Sequence, residues 1–228
     1  MTRNEKTGIS PGERVTIDEA SAVTGIPTRR IGSLIKEKDL PKYVCPMLGN
    51  RRMLRAVALP MLGFAISGGL NLVKETRLQI MRQIGKYAKE NWLRLCDDPG
   101  YAERLSFETG CILVVPGKQI FEAMTGLNRL IDARLRVVED PDMRGGIPTI
   151  RGTRVGVYEA AGSLAGDGMD MALEDYPTLR REDLEAAAIY AKAYPITARM
   201  RRAGYKPTSG IPGRRLILEK EVLFPLPA

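Results

Sequence analysis

The feature that most constrains the fold of this chain is an 18-residue stretch without a charged side chain, residues 56–73. A stretch of this length lies near the lower limit for a membrane-spanning helix. Pro60, Gly63, Gly68 and Gly69 interrupt it, and both residue types break helices. We therefore predict a buried helix that ends at a Gly-Gly turn, followed by the start of a second helix, and we expect no membrane association.

Composition agrees with a chain that folds around a hydrophobic core. Of the 228 residues, 44% are hydrophobic and 27% are charged, which is ordinary for a globular protein. This length allows one large domain or two to three small ones. Residues 1–14 are polar and charged and do not have the pattern of a secretory signal peptide, so we expect a cytoplasmic protein.

The absence of histidine excludes several classes of catalytic and metal site. With 0 His in the chain, Ser-His-Asp catalysis, Cys-His catalysis and His-ligated zinc all lack their central residue. Cys45, Cys96 and Cys111 form no CxxC pair, which favours buried thiols in a reducing compartment. The glycine patterns of phosphate and dinucleotide loops are also absent. We expect no enzymatic activity, no catalytic or metal-binding residues and no cofactor.

The net charge of +8 is unevenly distributed. Residues 1–60 carry 11 Lys and Arg against 6 Asp and Glu, residues 140–195 carry 6 against 10, and residues 196–228 carry 7 against 2. Clustered positive charge attracts polyanions or acidic partners. Basic ends around an acidic module therefore indicate two such partners, and the alternative is a solvated surface that is basic without a partner.

The first quarter of the chain has the pattern of two short helices joined by a tight turn. Thr16 followed by Glu19 predicts a capping box, Gly25 is placed to end the first helix, and Pro27 to begin the second. The polar outer face of the second helix carries the candidate DNA-binding residues Thr28, Arg29, Arg30, Ser33 and Lys36. In a helix-turn-helix the second helix enters the major groove, where arginine can read guanine and hydroxyls contact bases or phosphates.

Two apolar-containing runs on either side of a Gly-Asn turn predict a β-hairpin after these helices. Asn50, Arg51 and Arg52 at its tip are further DNA-binding candidates, placed to reach phosphates or the minor groove. The order helix, helix, hairpin, helix resembles the winged helix-turn-helix of the MerR and excisionase type. The resemblance implies a DNA-binding domain over residues 1–66, and the alternative is that Arg29 and Arg30 lie on an ordinary solvated helix face.

Residues 67–138 carry no chemical motif and are predicted to form a helical linker or dimerisation region. Apolar spacing predicts a long helix over residues 70–95, with Val73, Ile80 and Ile84 facing inward. It also predicts a short strand near residues 111–115 and a helix over residues 119–135. We expect a homodimer. The long helix is suited either to pairing across its two-fold axis or to packing within the chain.

The densest pattern lies between residues 138 and 195. Its glycines predict a short extended segment over residues 147–155. Three helices then follow, the first ending near Gly166 to Gly168, the second ending at Tyr176-Pro177 and the third covering residues 180–194. The segment closely resembles the VapB-type antitoxins of the domain of unknown function 433. The residues that carry the resemblance are Asp140-Pro141, Gly145-Gly146-Ile147-Pro148, Arg151-Gly152-Thr153-Arg154-Val155, Gly168, Glu174-Asp175-Tyr176-Pro177-Thr178-Leu179 and Glu182-Asp183-Leu184.

The resemblance implies that residues 139–195 are a three-helix, homeodomain-like antitoxin module, often partnered with a PIN-like ribonuclease toxin. Such nucleases hold Mg²⁺ in a carboxylate cluster, which an arginine could pair with bidentately and so exclude the metal. We expect the extended basic tail, residues 196–228, to bind the toxin, because it is too poor in apolar surface to fold alone. The candidate toxin-binding residues are Arg199, Arg201, Arg202, Tyr205, Arg214 and Arg215. The tail could instead contact nucleic acid or pack on the middle region.

The sequence therefore predicts a mainly α fold with short β elements, in which a winged helix-turn-helix precedes a three-helix antitoxin module. The predicted function is that of a type II antitoxin, which binds a PIN-like ribonuclease toxin and represses its own operon by binding operator DNA. The alternative is a DNA-binding transcription regulator without a toxin partner. A metal-dependent enzyme is least favoured, because acidic residues in first turns, such as Glu182 and Asp183, usually complement the helix dipole.

Overall fold

The structure is a computed structural model and describes residues 9–102, 105–109, 112–114, 116–140 and 142–196. The predicted mainly α fold with short β elements is confirmed. The helices are α1 (Ile17–Thr24), α2 (Thr28–Lys36), α3 (Ala58–Ile66), α4 (Lys74–Glu90), α5 (Trp92–Asp97), α6 (Gly117–Arg136), α7 (Val157–Asp175) and α8 (Arg181–Ala193). The strands are β1 (Arg14–Val15), β2 (Met47–Leu48), β3 (Arg51–Arg52), β4 (Leu54–Arg55), β5 (Phe107–Thr109), β6 (Ile112–Val114), β7 (Val137–Val138) and β8 (Thr149–Ile150). They form four antiparallel pairs, β1 with β4, β2 with β3, β5 with β6 and β7 with β8.

The chain divides into two compact units, the first ending at Asn128 and the second beginning at Arg129. In the first unit α1, α2, α3 and α4 pack around an aliphatic core. Side chains of this core with no or almost no exposed surface are Ile31, Leu34, Leu54, Leu59, Met61, Leu62, Ile80, Met81, Ile84, Leu95, Ile120 and Met124.

The uncharged stretch forms the central helix of this unit, as predicted. In α3 all residues except Gly63 and Ile66 are buried, and Pro60 lies in the first turn, where no backbone hydrogen bond is lost. The helix ends at Ile66 with Ser67 as its C-cap, and Gly68, with φ of 132°, leads into a 3-10 turn at Gly69–Asn71. No helix within the described ranges is long and apolar enough to cross a membrane.

The long helix of residues 70–95 was predicted with the wrong ends. The 3-10 turn delays its start, so that Val73 is an extended N-cap residue with 70% of its surface exposed rather than an inward-facing one. The helix ends at Glu90, and Asn91 leaves the helical conformation (φ −110°, ψ 18°) while its side chain donates from Nδ2 to the carbonyl of Tyr87. The next helix, α5, begins at Trp92, whose indole Nε1 donates to the carbonyl of Ile9 at 2.8 Å.

The second unit packs α7 against α8, with the β7–β8 pair at its start. Its core cluster consists of the buried residues Ala133, Val137, Ile150, Val157, Ala160, Ala172, Leu179, Leu184, Ala186, Ala187 and Tyr190. The helix break predicted near Gly166 to Gly168 is confirmed, because Gly168 (φ 84°, ψ 177°) interrupts α7 with a non-helical backbone. Two short helical pieces and α8 therefore follow one another, as the glycine and proline positions predicted.

Candidate nucleic-acid interface

The start of α1 and the turn between α1 and α2 are both set by local features that the sequence predicts. The Thr16 amide donates to Oε2 of Glu19 at 2.7 Å, and the Glu19 amide donates to Oγ1 of Thr16 at 3.1 Å, so the capping box is complete. Gly25 ends α1 in the left-handed conformation with φ of 71°. Buried Ile26 follows and Pro27 is the N-cap of α2, so the second helix begins where predicted.

One face of α2 is buried and the other is open to solvent. Ile31 and Leu34 are fully buried, whereas the first turn presents three exposed side chains, Thr28, Arg29 and Arg30. Lys36, in the last turn, is also exposed. Ser33 is half-buried, and its hydroxyl donates a hydrogen bond to the carbonyl of Arg29 at 3.2 Å. The predicted outer face is therefore present, with its cations concentrated at the start of the helix.

The β2–β3 hairpin is present at the predicted Gly-Asn turn. Met47 pairs with Arg52 and Leu48 pairs with Arg51. Gly49 has φ of 56°, which suits the first position of the two-residue turns typical of hairpins. Asn50 completes the turn, and all six residues of the hairpin are exposed.

The base of the hairpin is tied to the rest of the first unit. Arg55 in β4 donates from Nε to the carbonyl of Tyr43 at 2.8 Å and from Nη1 to the carbonyl of Gly12 at 3.2 Å. Burial, and secondarily the charge of Arg14, lowers the pKa of Arg55. The anchoring role of Arg55 was missed by sequence reasoning, because its partners lie 12 and 43 residues away.

The cysteines within the described residues do not provide a reactive thiolate. Burial raises the pKa of Cys45 to about 11, although the charge of Arg52 acts in the opposite direction. The pKa of Cys96 is likewise raised to about 11, by burial and by Asp97. No group of His, Cys, Asp or Glu side chains in the described part of the chain has the arrangement of a metal site.

The glycine-rich segment at the start of the second unit is fastened by an ion pair. Arg144, at a positive φ of 51°, donates from Nη1 and Nη2 to the two carboxylate oxygens of Glu159. Nη1 is also 3.2 Å from the carbonyl oxygen of Arg154, so one side chain joins the segment to the first turn of α7. The pKa of Glu159 is lowered, first by the hydrogen bond from Arg144.

A second group of polar contacts holds α8 in place. Arg136 donates to Oδ1 of Asp183 at 2.6 Å, and the Tyr190 hydroxyl donates to Oε1 of Glu139 at 2.5 Å. The Arg134 guanidinium donates from Nε to the Tyr194 hydroxyl at 2.7 Å. Asp183, one of the residues that carry the family resemblance, therefore has a structural role in this unit.

Residues 140–195, which make up most of the described second unit, carry 10 Asp and Glu against 6 Lys and Arg. The exposed carboxylates of α7 and α8 are Asp167, Asp170, Glu174, Asp175, Glu182 and Glu185, and Arg181 and Lys192 of α8 are exposed as well. The excess of negative charge in this segment disfavours a phosphate backbone as its partner, in contrast to the cationic start of α2. The predicted toxin-binding residues of the tail, which begin at Arg199, lie outside the described residues.

The comparisons with known proteins connect both units to one family. The model of the DUF433 family, described as a protein of unknown function, matches residues 137–191. An uncharacterized protein of Sinorhizobium fredii (strain NBRC 101917 / NGR234), y4eO, is 30% identical over 204 residues, which cover 87% of this chain and 90% of y4eO. The chain belongs to the y4eO family.

Members of the y4eO family share more than the DUF433 segment, because a 204-residue match is much longer than the segment at residues 137–191. The likeness therefore extends into the first unit, which contains α2 and the hairpin. The DUF433 segment spans β7, β8, α7 and nearly all of α8, so the matched residues make up most of the described second unit. No solved structure matches the chain.

Proposed function

We propose that this chain is a DNA-binding antitoxin. Its first unit binds operator DNA through α2 and the β2–β3 hairpin, and its second unit and tail bind and neutralise a PIN-like ribonuclease toxin. The observation that carries the DNA-binding part is the start of α2, where Thr28, Arg29 and Arg30 are exposed on a helix whose other face is buried.

Three properties of the first unit support operator binding. The α1–α2 turn is fixed by Gly25, which ends α1 in the left-handed conformation and whose amide donates to the carbonyl of Ser21, and by Pro27 at the N-cap of α2. A recognition helix leads with its N-terminal residues, which here are the cationic ones. The hairpin adds Arg51 and Arg52, and arginines on such a projection contact phosphates or the minor groove.

The second unit supports the antitoxin part through its family and its charge. The DUF433 model matches residues 137–191. The motif residues of this segment are those on which its likeness to VapB-type antitoxins was predicted from the sequence. The net negative charge of residues 140–195 disfavours DNA as the partner of this segment and favours a protein. The arginines of residues 196–228 would then pair with the carboxylates that hold Mg²⁺ in the nuclease and exclude the metal.

A regulator without a toxin is the second candidate function. It is favoured by the fact that the cationic face of α2 and the hairpin both lie in the first unit, outside the DUF433 segment. This candidate predicts the same DNA binding but no complex with a nuclease.

DNA binding is tested by anisotropy titrations of the full chain with a duplex from the region upstream of its own coding sequence. We expect R29A/R30A to weaken binding at least about tenfold and to reduce the slope of log K against log salt by about 2, since each phosphate contact contributes about 0.9. Lys86→Ala, which removes an exposed charge from α4 of the same unit, is the matched control. Equal effects of the two variants would contradict the proposed interface.

The antitoxin part is tested by coexpression with the product of the adjacent gene. We expect the full chain to restore growth and to co-purify with that product, and a chain ending at residue 195 to do neither. Restored growth with the shortened chain would contradict the role of the tail. If the full chain neither restores growth nor co-purifies but still binds DNA, the second candidate function, a regulator without a toxin, is the one that remains.

A further inference from the structure

The tip of the β2–β3 hairpin exposes two apolar side chains where a solvated loop would carry polar ones. Met47 has 56% of its surface exposed and Leu48 has 46%. Cross-strand partners share a face of a two-stranded ribbon, and neighbours in one strand lie on opposite faces. One face of the hairpin therefore carries Met47 with Arg52, and the other carries Leu48 with Arg51.

The hairpin is fastened firmly at its base. Met53 and Leu54, which follow β3, are buried, and the Met53 amide donates a hydrogen bond to the carbonyl of Pro46 at 3.0 Å. Arg55 adds its two bonds to Tyr43 and Gly12. Only the short ribbon between residues 47 and 52 projects, so its apolar tip is presented in a preorganised position.

We propose that this hairpin enters the minor groove of bound DNA and that Leu48 inserts as a wedge at a base step, which bends the duplex. This inference rests on the proposed DNA binding by α2 and adds to it a contact that distorts the DNA. Leucine and methionine are among the side chains that minor-groove proteins insert between bases. Leu48 is the wedge because it adjoins the turn, and Met47, one residue further from the tip, packs on the sugar walls.

Charge favours DNA over a protein as the occupant of this surface. Each apolar side chain of the ribbon has an exposed arginine opposite it, so burying either face in an apolar protein interface would desolvate a guanidinium. A narrow minor groove has the opposite property, because its negative potential attracts inserted arginines while its sugars offer apolar contact. Arg51 and Arg52 would thus hold the ribbon in the groove in which Leu48 inserts.

The sequence preference expected from such a wedge differs from that of α2. Pyrimidine–purine steps unstack most easily, so the wedge favours a TA or CA step at a fixed distance from the bases that α2 contacts. This preference would appear at a position that no side chain reads by hydrogen bonding.

The experiment uses the full chain and the upstream duplex, labelled at both ends for energy transfer and carrying 2-aminopurine at successive steps. We expect the wild-type chain to shorten the end-to-end distance and to raise 2-aminopurine fluorescence at one step. Leu48→Ala should lose at least half of the bend and the fluorescence increase, and bind about three- to tenfold more weakly. Its salt slope should remain unchanged, because no phosphate contact is lost. Arg51→Ala should lower that slope by about 1.

Ile66→Ala is the matched control, because Ile66 at the end of α3 is a similarly exposed apolar residue, at 43%. A bend that is unchanged in Leu48→Ala would overturn the wedge. If R29A/R30A still loses DNA binding in that case, the proposed interface on α2 is upheld. A wild-type chain that binds no duplex would overturn both proposals. If light scattering shows that Leu48→Ala changes the oligomeric state and leaves the bend intact, the hairpin is a protein interface and the wedge is wrong.

Discussion

The guanidinium of Arg77 in α4 donates a hydrogen bond from Nη2 to Oδ1 of Asp39 at 2.5 Å, and the two side chains are only 7% and 11% exposed. Asp39 lies three residues beyond the end of α2. Lys74 approaches the same carboxylate at 3.6 Å and donates to the carbonyl of Glu37 at 2.7 Å. The buried pair therefore joins the helix proposed to bind DNA to the longest helix that lies entirely within the first unit.

We expect Arg77→Met to destabilise the first unit by about 3 kcal/mol or more, because a buried carboxylate loses its hydrogen-bonded guanidinium. The double variant D39N/R77M should recover part of this loss, since no buried charge is left unpaired. The single tryptophan, buried Trp92, reports unfolding of this unit in urea. Lys74→Ala is the control and should cost less than about 1 kcal/mol, because its side chain is 43% exposed. Similar losses for Arg77→Met and Lys74→Ala would contradict the importance of the pair.

Gly126 in α6 lies against the backbone at the end of α1. A Cβ at this position would be 2.1 Å from the carbonyl oxygen of Val23, and backbone atoms cannot yield as a flexible side chain does. We expect Gly126→Ala to destabilise the first unit by about 1–3 kcal/mol, the range for overpacked sites.

Gly32 is the matched control for this glycine, because it also lies within a helix of the first unit and a Cβ there meets nothing within 4 Å. Gly32→Ala should stabilise the unit by about 0.5–1 kcal/mol through higher helix propensity. The two variants are thus expected to move the urea midpoint of Trp92 fluorescence in opposite directions. Shifts of the same sign would show that the close approach at Gly126 is not maintained in solution.

Gly168 gives the second unit its break in α7. Its φ of 84° and ψ of 177° lie in a region that is essentially restricted to glycine. We expect Gly168→Ala to cost about 1–3 kcal/mol. Gly162→Ala, at a helical position with nothing within 4 Å, should be neutral or stabilising. Hydrogen exchange of the α7 and α8 amides measures both changes within the full chain, and faster exchange in Gly162→Ala than in Gly168→Ala would be inconsistent with this conformation.

The pair of Arg144 and Glu159 makes the second unit sensitive to acid. The hydrogen bond from Arg144 lowers the pKa of Glu159 below its ordinary value of 4.5, so the folded form binds a proton less readily than the unfolded chain. The resulting stabilisation is present above pH 4.5 and is lost as the pH falls through the lowered pKa of the folded state. It amounts to about 0.5 kcal/mol, because the Glu159 side chain is 52% exposed and water screens the pair.

An NMR titration of the side-chain carboxyl groups measures the pKa of Glu159 directly. The Glu159 midpoint should lie below 4.5 in the wild-type chain and return toward that value in Arg144→Gln. Arg181→Gln is the control, because Arg181 lies 3.8 Å from Asp170 in a far more exposed pair and should leave the Glu159 midpoint unchanged. A Glu159 midpoint that does not move in Arg144→Gln would rule out the pair as the cause.

The sequence by itself determined the features that arise from near neighbours. The Thr16 and Glu19 capping box, the hairpin turn at Gly49 and the break at Gly168 were predicted correctly, because each depends on residues within a few positions and on backbone angles that glycine permits. The DUF433 segment was also recognisable from its motif.

Tertiary structure decided what depends on distant partners. Asp39 meets Arg77 across 38 residues and Arg144 meets Glu159 across 15, and no local periodicity encodes such pairings. Val73 was predicted on an inward face and is exposed, because the 3-10 turn before α4 changes the direction of the chain. The exposure of Leu48 likewise follows from where the fold places the hairpin. Local geometry is set by short-range sterics and hydrogen bonds, whereas burial and pairing require that the whole unit has packed.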